Sequence, residues 1–207
     1  PAPRLVTVGG AITEVVYALG AESQLVGTDT TSLFPAAAQQ TAKVGYMRQL
    51  SAEGVLSLKP DAVIASSEAG PPVVIDQLRS AGVKVELIKA DHSWDEVRAK
   101  VQAVGRAARR EAQARDLQAK LDAEWSAVQK RVASSAKPKP RALFILSHGG
   151  SPMVAGTGTA ADALIRYAGG VNAVTSFAGY RPWTAEALAE AAPDVLLNTT
   201  QGIEAMG

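Results

Sequence analysis

Leu50-Ser51-Ala52-Glu53-Gly54-Val55-Leu56-Ser57-Leu58-Lys59-Pro60-Asp61-Ala62-Val63-Ile64 aligns without gaps on Trp183-Thr184-Ala185-Glu186-Ala187-Leu188-Ala189-Glu190-Ala191-Ala192-Pro193-Asp194-Val195-Leu196-Leu197. Each stretch reads as a hydroxyl N-cap (Ser51, Thr184), a helix, and a Pro-Asp step into an apolar strand. Just upstream, Gly45-Tyr46-Met47-Arg48 faces Gly179-Tyr180-Arg181-Pro182, with one residue fewer before the cap. A duplication of this kind predicts two similar lobes.

Working outward, strands are predicted over 4–8, 61–65 and 84–88, with helices over 11–19 and 72–80. Short apolar runs alternating with helical stretches give a βαβ rhythm and a mostly parallel sheet. Ser93-Trp94-Asp95-Glu96 is a capping box. It opens a helix to about 106, followed by a longer one over 110–131 in which Leu117, Leu121, Val128 and Val132 recur at helical spacing. Residues 134–140 break it, and a strand over 141–146 starts the second rhythm. The fold class is therefore α/β: two Rossmann-like lobes joined by a long rigid helix, with a ligand cleft between the lobes. The boundaries are an N-terminal lobe over 1–92, a helical linker over 93–136, and a C-terminal lobe over 137–207. After Asp194 only 13 residues remain. The first lobe runs on through a helix and a strand after Asp61, so the C-terminal lobe is expected to be incomplete.

Composition narrows the chemistry. The 207 residues are 47% hydrophobic and 20% charged, values of a globular chain, with a net charge of +1 that argues against nucleic acid as partner. The absence of cysteine excludes disulfides, thiolate metal sites and a thiol nucleophile. Two histidines, His92 and His148, are too few for a three-histidine zinc site. No run of 18 apolar residues occurs. The chain opens Pro1-Ala2-Pro3-Arg4, with no Met and no apolar leader, and is expected to be a mature product whose signal peptide has been removed.

In an open α/β sheet the loops after the strand C-termini line the ligand site. Tyr46 and Arg48 sit two apart in a segment expected to be extended, which would aim both to one side. A neighbouring guanidinium favours the phenolate, a hard oxygen ligand for ferric iron and a known axial ligand of haem. Arginine also forks onto carboxylates such as propionates. A tyrosine that is only a surface ring or core filler is the competing reading. Tyr180 and Arg181 occupy the matched loop, but adjacent residues cannot both point one way on an extended chain, so one of them is expected to pack. His148, in the loop His148-Gly149-Gly150, follows the 141–146 strand and is a candidate axial ligand or hydrogen-bond donor, against the plainer role of loop filler. His92 precedes the capping box and is read as a solvated helix-start residue. Glu53 and Glu186 hold the same place in matched helices. The helix dipole accounts for each singly, but not for their matching, which fits a docking pair for an arginine-bearing partner. Gly156-Thr157-Gly158-Thr159-Ala160-Ala161 has the form of a dinucleotide fingerprint, yet no Asp or Glu occurs between Asp162 and Glu186 to hold a ribose. Thr159 is therefore read as an N-cap, and a nucleotide-dependent α/β enzyme is the weakest of the rival readings.

Together these features resemble a periplasmic haem-binding protein of a bacterial ABC transporter, in the substrate-binding family whose lobes are joined by a helix. The resemblance runs along essentially the whole chain. It is carried by Val6 to Gly20, with Val8-Gly9-Gly10-Ala11-Ile12-Thr13-Glu14-Val15-Val16-Tyr17-Ala18-Leu19-Gly20 within it, by 45–56, by Lys59-Pro60-Asp61, by Ala69-Gly70-Pro71-Pro72 and by Gly179-Tyr180-Arg181-Pro182. The Gly-Tyr-Met-Arg segment is the most specific, since siderophore and cobalamin binders of the same fold share the Pro-Asp leader. The resemblance implies that Tyr46 is the axial ligand of ferric haem and Arg48 its supporting cation. It implies further that Glu53 and Glu186 meet arginines on the two subunits of an inner-membrane permease, and that a C-lobe histidine, for which His148 is the candidate, contributes to binding in some relatives. It points to a periplasmic monomer that delivers haem for iron acquisition and performs no catalysis, with a ferric siderophore or cobalamin as the alternative cargo.

Overall fold

The computed structural model describes residues 1–147 and 150–206, and its packing divides the chain into two units, Pro1–Ala123 and Glu124–Gly207. The first unit follows the predicted rhythm, with β2 as an unpredicted addition: β1 (Leu5–Val8), α1 (Gly10–Ala18), β2 (Leu25–Thr28), α2 (Ala52–Ser57), β3 (Ala62–Ser66), α3 (Pro72–Ser80), β4 (Lys84–Ile88) and α4 (Trp94–Ala108). Its four strands are all parallel, in the order β2-β1-β3-β4. Period-two alternation splits each central strand between two cores. Leu5, Ala62 and Ile64 pack with Ile12, Val16, Val101 and Val104, whereas Val6, Val8, Val63 and Ala65 pack with Val55, Val74 and Leu78 on the other face. Both faces are covered, as a parallel sheet requires.

The division between units falls within α5 (Glu111–Ala133). Its first half is tied to α4: Leu117 and Leu121 join the core of Val101 and Val104, and the Trp94 indole donates to Asp122 Oδ1 at 2.6 Å. Gly105 permits the close approach, because a Cβ there would stand 2.6 Å from the Ala114 Cβ. The second half packs within the second unit, where the Trp125 and Tyr167 rings meet edge-on at 5.0 Å.

The second unit contains β5 (Arg141–Leu146), β6 (Met153–Ala155), α6 (Ala160–Tyr167), β7 (Val171–Asn172), β8 (Tyr180–Pro182), α7 (Ala185–Ala191), β9 (Val195–Leu197) and α8 (Thr200–Met206). β7 and β9 run parallel to β5, but β6 is antiparallel to β5 and β8 antiparallel to β6. This antiparallel pair was not foreseen. Its strands are three residues each, set among Gly150, Gly156, Gly158 and Gly179, and are too short to show alternation. Pro182 is tolerated because β8 ends the sheet order.

The duplication is visible in hydrogen bonds. Ser51 accepts from the Gly54 amide and Thr184 from the Ala187 amide, each as an N-cap. The Arg4 amide donates to Asp61 Oδ2 at 2.7 Å, and Arg141 does the same to Asp194 Oδ2 at 2.8 Å. Arg4 Nη2 donates to the Leu58 carbonyl and Arg141 Nη2 to the matched Ala191 carbonyl, both at 2.8 Å. Even the left-handed residue after each helix is matched, Lys59 at φ 49° and Ala192 at φ 43°. The Pro-Asp step is thus a clamp: the aspartate and the arginine together fix where the strand after the helix enters beside β1 or β5.

Candidate functional site

In the first unit the loops at the C-terminal ends of β1, β3 and β4 form one face. Gly9, Gly10, Thr31, Met47, Ser66, Glu68 and His92 line a pocket there of about 250 Å³. Tyr46 to Gln49 belong to this face as a turn closed by the Gln49 amide on the Tyr46 carbonyl at 2.9 Å. The segment is therefore not extended, and the period-two argument does not apply to it. The turn is set by Gly45, whose φ of 96° is a conformation L side chains rarely adopt. Two hydrogen bonds lace it to the loop after β3: the Gly70 amide to the Met47 carbonyl at 3.0 Å and the Leu50 amide to the Gly70 carbonyl at 2.9 Å. Met47 packs inward against the core, leaving Tyr46 (45% exposed) and Arg48 on the outside. Arg48 Nη2 lies 3.6 Å from Glu68 Oε1.

A polar knot holds the approach to this turn. The fully buried Asp29 accepts from the Gly9 amide at 2.9 Å, the Thr31 amide at 3.1 Å and the Ser32 hydroxyl at 2.8 Å. Lys43 Nζ donates to Thr28 Oγ1 at 2.8 Å and to the Ala38 and Ser32 carbonyls. Desolvation lowers its pKa, and the Asp29 charge acts the other way. From this anchored stretch the Thr30 amide donates to the Gly45 carbonyl at 3.0 Å.

In the second unit Gly179, at φ 77°, plays the part of Gly45 and introduces Tyr180 in β8. Partial burial raises the Tyr180 pKa, with a Thr159 side-chain hydrogen bond opposing it. Arg181 does not share its direction: its guanidinium stacks 4.7 Å from the Phe177 ring centre. Glu53 and Glu186 are both exposed in the first turns of α2 and α7. Neither forms an ion pair among the described residues. His148 lies outside the described residues. Thr159 is an N-cap, accepting from the Asp162 amide at 3.0 Å.

A family model described as periplasmic binding protein matches residues 5–206. The chain belongs to the periplasmic binding protein family. Among solved structures, this binding protein superposes on the periplasmic haem-binding protein BhuT, solved with two haems, at a TM-score of 0.91 and 46% identity, covering 99% of this chain and 80% of that one. The uncharacterised ABC transporter substrate-binding lipoprotein YvrC of Bacillus subtilis is 29% identical over 98% of this chain and 65% of its own length. A cobalamin-binding protein of Halobacterium salinarum is also 29% identical, over 94% of this chain and 53% of its own. The chain thus spans between about half and two thirds of the length of these curated relatives.

A larger cavity of the first unit lies at the other end of its sheet. About 880 Å³ in volume, it lies at the N-terminal ends of the same strands, beside Pro3, Asp61 and Lys84, and holds none of the candidate ligand-binding residues. The C-terminal face is the one that carries Tyr46 and Arg48. Sequence reasoning missed Asp29, a single acid in a polar loop, and Glu68, which directly precedes the Ala69-Gly70-Pro71-Pro72 segment. It also took His92 as solvated, whereas it is half-buried on this face, at φ 58°, with its amide donating to Glu96 Oε1.

Proposed function

We propose that this chain is the extracytoplasmic, periplasmic substrate-binding component of an ABC importer and that its cargo is ferric haem. Tyr46 supplies the axial oxygen to the iron, and Arg48, two residues on in the same turn, meets a propionate. The observation that carries this reading is the Gly45-held turn, which presents an exposed phenol with a guanidinium two residues on, at the ligand end of a parallel sheet. Arg181, released from Phe177, is the second unit's cation for a propionate. Likeness to BhuT at 46% identity supports haem over other cargo. The protein acts as a binding and delivery monomer without catalysis, and Glu53 and Glu186 engage basic residues of the permease dimer.

The cobalamin-binding relative favours a second reading, in which the same face takes a corrinoid. Titration with ferric haem and with cyanocobalamin separates the two. The haem reading predicts a high-spin tyrosinate-type visible spectrum that disappears in Tyr46→Ala, with affinity reduced more than about tenfold, or 1.4 kcal/mol. Tight cobalamin binding without a haem spectrum contradicts it.

A further inference from the structure

We propose that Glu68 is a placeholder for the ligand's carboxylate: it occupies Arg48 in the ligand-free protein and yields it to a carboxylate-bearing metalloporphyrin. This rests on the haem reading above and adds a specificity-determining residue to it. Glu68 is held where it can do this. It sits in the loop after β3, its amide donating to Ser66 Oγ at 3.2 Å, and that loop is laced to the Tyr46 turn through Gly70 at both Met47 and Leu50. Its side chain lines the same pocket as Met47 and Gly10. The pair it makes is built to be broken. Arg48 and Glu68 share a single contact at 3.6 Å, longer than a hydrogen bond, between side chains 58% and 43% exposed. Such pairs are weak, whereas a ligand carboxylate can accept a two-pronged fork from the same guanidinium. While Glu68 is ionised it both competes for Arg48 and repels a free carboxylate arriving beside the pocket. A cargo whose carboxylates are blocked gains nothing from Arg48 and loses little to Glu68. The acid therefore sets the margin by which Arg48 rewards a propionate.

The test is a spectroscopic titration of the wild-type chain, Glu68→Gln and Arg48→Gln/Glu68→Gln with ferric haem and with ferric haem dimethyl ester, at low and high salt. The amide variant keeps the size of the side chain and removes its charge. We expect Glu68→Gln to bind haem roughly three- to tenfold more tightly, most clearly at low salt, the ester to be unaffected, and the gain to vanish when Arg48 is also replaced. Equal haem affinity in wild type and Glu68→Gln overturns the proposal and leaves the haem reading intact. Weaker haem binding in Glu68→Gln also overturns it, since Glu68 would then be aiming Arg48 rather than competing for it. A change of the same size for haem and ester overturns it as a structural effect. If the wild type takes neither porphyrin, the haem reading itself fails, and this inference with it.

Discussion

Gly45 and Gly179 introduce two tyrosines with the same backbone device, and their surroundings then separate them. At φ 96° Gly45 has no room for a preferred L conformation, so Gly45→Ala should cost about 1–2 kcal/mol in chemical unfolding and weaken ligand uptake by misaiming Tyr46. A variant with unchanged stability would mean that the turn adopts another geometry. Tyr180→Phe should lower haem affinity modestly while leaving the iron spectrum unchanged, because the proposal assigns the iron to Tyr46 in the matched turn. Loss of the tyrosinate-type signature in Tyr180→Phe would reverse the assignment of the two tyrosines. Much of this chemistry was legible in the chain, because Gly-Tyr recurs at matched offsets and glycine before an aromatic marks a special backbone. The direction of the side chains was not. An extended reading of 45–48 follows from glycine and spacing, but Gln49 closes onto Tyr46 in a local turn, and the lacing of that turn to Gly70 depends on a loop 20 or more residues away. Glu68 was silent because its partner Arg48 is 20 residues away, and Asp29 because its bond to the Gly9 amide spans the same distance.

At the scale of elements, the clamp that each unit uses to seat its strand is the testable feature. Asp61→Ala and Asp194→Ala each remove an acceptor from the amide of an arginine, Arg4 or Arg141, and each should cost about 1 kcal/mol or somewhat more. The packing of α4 on α5 gives a sharper case. Gly105→Ala gains about 1 kcal/mol of helix propensity, but its Cβ would fall 2.6 Å from that of Ala114, an overlap costing about 1–3 kcal/mol. Net destabilisation, recovered in part by adding Ala114→Gly, is the expected result in thermal unfolding. The start of α4 also carries an acid dependence. Burial pushes the Glu96 carboxyl up, but hydrogen bonds from Lys100 and the His92 amide more than offset this and hold its pKa below the ordinary value. Hydrogen bonds from Ser93 lower Asp91, and those from Trp94 and Gln118 lower Asp122. A depressed carboxylate stabilises the fold fully above its unfolded pKa and loses that contribution as pH falls through the folded one. Stability should therefore drop below about pH 4.5, and Glu96→Gln should flatten that drop. Helices and the longer parallel strands were readable because periodicity and caps are local. β2, β6, β7 and β8, of two to four residues, were not; the equally short β9 was readable only because the Pro-Asp repeat marks its start.

For the molecule as a whole, the repeat places one exposed glutamate in the first turn of a matched helix in each unit. Replacing Glu53 or Glu186 by Arg should leave haem binding unchanged and abolish delivery to a reconstituted permease, while a loss of haem binding would place them in the ligand site. The matched strands differ in their surroundings: Val63 in β3 is fully buried, whereas Leu196 in β9 is 56% exposed. Composition and duplication made the two-unit α/β plan readable, but cargo is decided by a few side chains on one face, where haem, corrinoid and siderophore readings diverge. The most direct measurement is the visible spectrum of the purified chain titrated with ferric haem, alongside Tyr46→Phe, which keeps the ring and deletes only the oxygen. Saturable uptake with a tyrosinate-type spectrum in the wild type, lost in the variant, is predicted; identical spectra in both would contradict the assignment of iron to Tyr46.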